Sequence, residues 1–313
     1  MLGYLGGKKM ESQEIKNAIS GILVVDKPVG LTSHDVVDHI RRGTGIRRAG
    51  HTGTLDPRAS GVLVILVGPA VRLSEFVSAS DKRYQAILRL GNATDTYDAE
   101  GHFTRQPSTT LVDVTEEQFN EVLQRYIGEI EQTPPAFSAV KIHGRKAYEM
   151  ARQGEDVELA PRKINVYHLE ILEWAPPEVV IDVHCSSGTY VRSLANDVGN
   201  ALGCGAYLVG LRRTKSGRFS LRDATPLRKL EESFTAGNWY QYLIPAAEAL
   251  AEWTAVELNP DEVEEIKHGH RVKAAADAKP GLVRGVSMAG ELIAILDLDE
   301  VTMEWQPKKV FYS

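Results

Sequence analysis

Three residues stand where a side chain could do chemistry. Asp56 closes the glycine-rich turn GHTGTLD, and Pro57 follows it, with the apolar run VLVILV a few residues on. A carboxylate at the mouth of a core is placed to act as a nucleophile or base where water is scarce. The plain alternative is a helix N-cap, since aspartate caps and proline suits the first helical position. That alternative explains the Asp-Pro pair but not the flexible turn before it. Arg192 follows SSGTYV at the expected start of a helix, where the macrodipole disfavours a cation. Exposure, or a local pair with Asp197, would relieve it; a fork-like pair with a distant carboxylate would hold that acid ionised and aimed. Tyr84, in KRYQA, shares a strand face with Ala86, Leu88 and Leu90. It is either a core tyrosine with its hydroxyl at the rim or a platform on which a nucleobase stacks.

Other signals are missing. There is no GxGxxG, P-loop, HExxH or GxSxG pattern. His268-Gly-His270 is half a metal site without a companion motif, and Asp95 and Asp98 lack the spacing of a calcium loop. Cys185 and Cys204 form no CxxC and read as free buried thiols in a reducing compartment. A metal-free, cofactor-free enzyme is the expectation these absences favour.

The elements that must carry these residues are legible in outline. GILVVDKPVGLTSHDVVDHIRRGTG reads as a buried strand, a Lys-Pro-x-Gly turn and a helix capped at Thr32 or Ser33. VRLSEFVSA has helical spacing, KRYQAILRLG alternates as a one-faced strand, and NATDTYDAEG is a polar turn. EEQFNEVLQRYIG is an amphipathic helix, VVIDVHCS a strand, and TYVRSLANDVGNALG a helix ending at glycine. Strands and helices mix without a βαβ rhythm, which predicts an α+β fold with a mixed, largely antiparallel sheet flanked by helices. Residues 131–163, rich in proline and bases, read as an excursion from that sheet: a surface loop or an arm that orders on a partner. From about residue 246 the chain turns acidic and breaks into short β-like pieces, a small separate β-rich domain. Residues 1–20 read as a loosely ordered leader without the apolar run of a signal peptide. No window approaches about 18 consecutive apolar residues, so a membrane span is not expected.

The net charge of −6 at first argues against a nucleic-acid partner. Residues 246–313, however, hold 13 acids and 7 bases, which accounts for all of it; the other 245 residues hold 29 of each. Within that neutral part the bases are bunched, in RRGTGIRR (41–48), KIHGRKAYEMAR (141–152) and RRTKSGRFSLR (212–222). Such acid-poor clusters suggest an electropositive face. Arg47, Arg48, Lys141, Arg145, Arg152, Arg212 and Arg213 are the candidate RNA contacts.

Taken together and in order, VVDKPVGLTSHDVV, GHTGTLDPRASGVL, DKRYQAILRLGNATDTYDAEG, SSGTYVRSLANDVG and GCGAYLVGLRRT resemble the TruB family of bacterial tRNA pseudouridine synthases. The resemblance covers roughly residues 20–245, and the tail is similar to the small PUA domain of that family. It implies a pseudouridine synthase catalytic domain over 21–245, with an RNA-contacting insertion at about 131–163, and a PUA-like domain over 246–313. It implies isomerisation of uridine 55 in the tRNA T-loop, without cofactor or metal, by an enzyme that needs no guide RNA. The free thiols fit a cytoplasmic protein, and nothing in the sequence demands more than a monomer. By position in the motifs, Asp56 resembles the catalytic aspartate, Arg192 the arginine that pairs with it, and Tyr84 the tyrosine that stacks on the target uracil. His51 matches the histidine associated with base extrusion; Tyr190 and Leu211 match residues lining the base pocket. An RNA-guided relative and a tRNA-folding chaperone are the competing expectations.

Overall fold

In the order of the chain, the strands are β1 (Gly21–Lys27), β2 (Ala49–His51), β3 (Ala59–Val67), β4 (Lys82–Leu90), β5 (Gly128–Gln132), β6 (Lys141–Ile142), β7 (Arg145–Lys146), β8 (Arg162–Ala175), β9 (Glu178–Cys185), β10 (Ala206–Ser216), β11 (Phe219–Ser220) and β12 (Thr225–Pro226). The tail adds β13 (Ala255–Leu258), β14 (Val272–Lys273), β15 (Leu282–Ser287), β16 (Leu292–Asp299) and β17 (Glu304–Val310). This computed structural model describes residues 19–104, 114–138, 140–142 and 144–311. Most of the expected leader therefore lies outside the described residues. The chain divides into two compact units, one of residues 1–57, 63–78 and 222–313, the other of residues 58–62 and 79–221.

In the first unit, β1 runs parallel to β12, and β2 lies antiparallel to the second half of β3, with His51 opposite Ile65. Val62 to Val67 are at most 1% exposed, so the VLVILV run is core as its composition requires. Helix α1 (Ser33–Thr44) starts at Thr32, which caps the Asp35 N–H while the Asp35 carboxylate returns to the Thr32 N–H. That capping box decides between the two candidate caps. Val36, Val37 and Ile40 form its buried stripe. The tail folds as a five-stranded sheet in the order β13–β15–β16–β17–β14 around Leu258, Ile266, Ile293, Leu296 and Trp305.

The second unit is the larger part of the mixed sheet. Strand β10 is parallel to the start of β3 and antiparallel to β4; beyond β4 come β9, β8 and β5, each antiparallel to its neighbour. On β4 the residues Lys82, Tyr84, Ala86, Leu88 and Leu90 are buried and their neighbours are not, as the alternation predicts. Two helices follow α1 at Ser74–Ser78 (α2) and Glu116–Gln124 (α3), and α4 spans Ala147–Arg152. Helix α5 (Val191–Ala201) lies against β10, and a Cβ at Gly199 would come within 2.0 Å of the Ala206 nitrogen. Only glycine allows that approach.

The mixed α+β architecture agrees with the sequence reading. The tail also holds an α-helix that this reading did not anticipate. After α6 (Leu227–Ala236), helix α7 (Pro260–Lys267) has Asn259 and Glu262 as a capping box and Pro260 in its first turn. No helix among the described residues is long and apolar enough to cross a membrane.

Candidate active site

The Asp56 loop is built within the first unit. Pro57 and Arg58 form a turn and no helix begins there, so Asp56 is not an N-cap. Its two neighbours are anchored instead. The Ser33 hydroxyl donates to the Leu55 carbonyl at 2.9 Å and accepts from the Leu55 N–H at 2.8 Å. The Pro57 carbonyl accepts from the Gly30 N–H at 2.8 Å and from the Lys27 ammonium at 3.3 Å. Lys27 is fully buried, and its ammonium also donates to the carbonyls of Pro28 and Leu31. A buried cation among carbonyl oxygens is tolerable because its donors are satisfied. The Lys-Pro-x-Gly turn thus fastens the backbone after a half-buried carboxylate, and Ser33 fastens it before. His51 closes β2 and is also half-buried.

In the second unit the sheet register brings Tyr84 opposite Val183 on β9 and Arg213 on β10, and Leu211 opposite Ala86. Directly opposed residues share a face, so Tyr84, Ala86, Leu211 and Arg213 lie on one side of the sheet. Tyr84 is 8% exposed and Leu211 half-buried. Gly61, at φ +100°, lies opposite Arg213 on the parallel strand, and a Cβ there would meet the Arg213 carbonyl oxygen at 2.2 Å.

Arg192 is buried, which removes simple exposure as the answer to its position. Its guanidinium reaches the Asp98 carboxylate at 3.2 Å, the Phe137 carbonyl at 3.2 Å and the Thr96 carbonyl at 3.4 Å. Asp98 is fixed in turn: it accepts from the Thr96 hydroxyl at 2.7 Å and the Glu100 N–H at 3.0 Å. Tyr97, between them, sits at φ 64°, a left-handed conformation uncommon for a tyrosine. Asp197 is not the partner. Burial pushes its carboxyl pKa up, the opposite of what an adjacent arginine does.

Tyr190, half-buried, precedes α5 and lies under the Arg162 guanidinium, 4.8 Å from ring centre to Cζ. Among the candidate RNA contacts, Arg47, Arg48, Lys141 and Arg152 are exposed. Arg145 is exposed too, but its guanidinium is already engaged by Glu155 and Gln153. Arg212 is half-buried beside Ser60. Arg213 is a correction: at 2% exposure, with its Nε donating to the Val62 carbonyl at 2.7 Å, it is interior and offers no surface charge. The strand alternation of β10 turns it inward, which a count of bases does not register. Among the described residues, His268 and His270 belong to no group of three or more side chains that could hold a metal ion.

Residues 41–191 match the TruB family pseudouridylate synthase N-terminal domain, and residues 192–251 match the tRNA pseudouridylate synthase B C-terminal domain. The chain belongs to the TruB family of pseudouridylate synthases. A tRNA pseudouridine synthase B of Thiobacillus denitrificans is 41% identical over 91% of this chain and 94% of its own. That of Pseudomonas aeruginosa is 38% identical over 90% and 93%. Among solved structures, the Cbf5-Nop10-Gar1 complex contains a similar chain, with TM-score 0.74, 27% identity, and coverage of 96% and 88%. A chain in an H/ACA RNP bound to a substrate RNA containing 2′-deoxyuridine has TM-score 0.73 at 26% identity, over 97% and 88%. As a TruB-family enzyme, this protein is an isomerase that converts uridine to pseudouridine.

Three supporting residues escaped the sequence reading. Lys27 and Ser33 were visible only as a turn and a cap; Asp98 was visible only as a polar-turn acid. Their roles depend on partners 22 to 94 residues away.

Proposed function

We propose that this TruB-family enzyme isomerises uridine 55 in the T-loop of tRNA, acting as a monomer with neither guide RNA nor cofactor, and that Asp56 is its essential carboxylate. The observation that carries this reading is the Asp56 loop, where Ser33, Gly30 and Lys27 hold the residues on either side of the acid. A cap or a surface acid needs no such double anchorage.

The reaction breaks the C1′–N1 bond and makes a C1′–C5 bond, with N1 gaining a proton and C5 losing one. A base in a folded loop must first be flipped out, at a cost of a few kcal/mol. Phosphate contacts from the exposed bases Arg47, Arg48, Lys141 and Arg152 offset that cost. Asp56 then acts as nucleophile or base, and Arg192 supplies fixed positive charge to the reaction. Tyr84 offers its ring to the uracil and helps remove the C5 proton; Tyr190 and Leu211 line the base site, and His51 serves base extrusion.

Identity of about 40% to proteins named tRNA pseudouridine synthase B, against 26–27% to chains of H/ACA-type complexes, supports the unguided reading. The test is tritium release from a T-stem-loop transcript labelled at uridine C5, with purified enzyme, no other RNA and a chelator present. Release by wild type and none by Asp56→Asn is expected. Tight binding without release would put the guided or chaperone reading in its place.

A further inference from the structure

Helix α5 begins without a side-chain cap: Tyr190, at the N-cap position, makes no capping hydrogen bond. Its backbone is held from another strand. The side-chain amide of Gln132, the last residue of β5, accepts from the Tyr190 N–H at 2.8 Å and donates to the Tyr190 carbonyl at 3.0 Å. That same carbonyl receives the Leu194 N–H, an opening bond of the helix, at 3.1 Å. Gln132 is only 1% exposed, so water does not compete for these groups.

Two more bonds join the same segments. The Ser193 hydroxyl donates to the Thr133 carbonyl at 2.9 Å, and the Arg192 guanidinium to the Phe137 carbonyl at 3.2 Å. These residues form the first part of the 131–163 insertion. The Ser138 carbonyl accepts from the Tyr148 N–H, and the Val140 carbonyl from the Ala147 N–H, both at the start of α4. Arg192 is therefore bonded to the first part of the insertion itself.

We propose that Gln132 is a positioning residue for Arg192, its amide setting the first turn of α5 and tying the guanidinium to the base of the RNA-contacting insertion. This rests on the assignment of Arg192 to the reaction. The residue type fits the task. A carboxamide presents a donor and an acceptor together, matching one residue's C=O and N–H; glutamate offers acceptors only and methionine neither. A shift of the first turn by about 1 Å is enough to cost on the order of a hundredfold in rate.

The test uses the full chain and T-stem-loop RNA tritiated at uridine C5, measuring single-turnover rate at saturation, Kd and thermal midpoint. Gln132→Met is expected to slow the reaction by roughly 10- to 100-fold with Kd within about threefold of wild type. Gln132→Glu, which keeps the acceptor for the Tyr190 N–H, is expected to recover part of that loss. A folded Gln132→Met with a rate within about twofold of wild type, or a defect confined to Kd, overturns the proposal. If Gln132→Met does not fold, Gln132→Glu is judged by the same two criteria. Arg192→Met run alongside separates the two assignments. If it is as fast as wild type, the role of Arg192 falls. If it is slow while Gln132→Met is not, only the positioning role of Gln132 falls.

Discussion

Arg192 and Asp98 are 94 residues apart in the chain and 3.2 Å apart in the fold, with side chains only 8% and 16% exposed. A buried guanidinium at the start of a helix is costly by itself, and Asp98, held by Thr96 and the Glu100 N–H, offsets it. Asp98→Asn removes the opposing charge from this buried guanidinium and is expected to lower stability. It is also expected to slow turnover more than it weakens RNA binding. Urea unfolding and single-turnover kinetics check both parts.

Asp56→Asn leaves the anchors at Leu55 and Pro57 intact, so the fold should survive. The expected outcome is a thermal midpoint close to wild type with turnover down by roughly four orders of magnitude. Unimpaired tritium release would remove Asp56 from the chemistry.

Ser33→Ala removes a hydroxyl bonded to both polar groups of Leu55. Leaving a buried N–H and C=O unmatched is expected to cost about 1–3 kcal/mol and to loosen the acid's loop. The signature is lowered stability together with a fall in kcat, while Kd for the stem-loop is unchanged.

Lys82 gives a pH dependence of known sign. Burial first, and the nearby Arg213 second, lower its pKa from 10.5 to about 8. The unfolded chain therefore holds this proton between about pH 8 and 10.5 when the folded protein has released it, so stability rises with pH across that window. The gain is about 3 kcal/mol at most. Cys185, facing Lys82 across the strands, opposes it: burial raises its thiol pKa from 9.0 to about 11, so stability falls with pH above 9. The measurement is urea stability from pH 7 to 10.5 for Cys185→Ala with and without Lys82→Met. A rise in stability seen only with Lys82 present is expected.

The basic residues divide by burial. Replacing exposed Arg47 or Arg48 with alanine is expected to weaken RNA binding and reduce its logarithmic salt slope by about one each. Replacing buried Arg213 is expected to lower stability instead. Titrations of stem-loop RNA at several salt concentrations, beside thermal melts, distinguish the two.

The sequence alone determined whatever depends on local pattern. Alternation on β4 placed Tyr84, Ala86, Leu88 and Leu90 on one buried face, and the Thr32-Ser33 pair placed the start of α1 to within one residue. The motif blocks around Asp56, Tyr84 and Arg192 marked the family. Helix α7 was equally local, since its Asn-Pro-x-Glu start is a capping signal in plain view. Tertiary structure decided everything that depends on a distant partner. Asp56 was open to reading as a cap until the fold placed Ser33 and Lys27 against its neighbours. Arg192 had two local remedies until the turn at residues 94–101 presented Asp98. Arg213 counted among surface bases until the register of β10 turned it inward. Gln132 gave no signal at all, because an amide gains a role only when another strand brings a backbone residue to it. Periodicity and capping are written in neighbours along the chain; hydrogen bonds across tens of residues are written only in the packing.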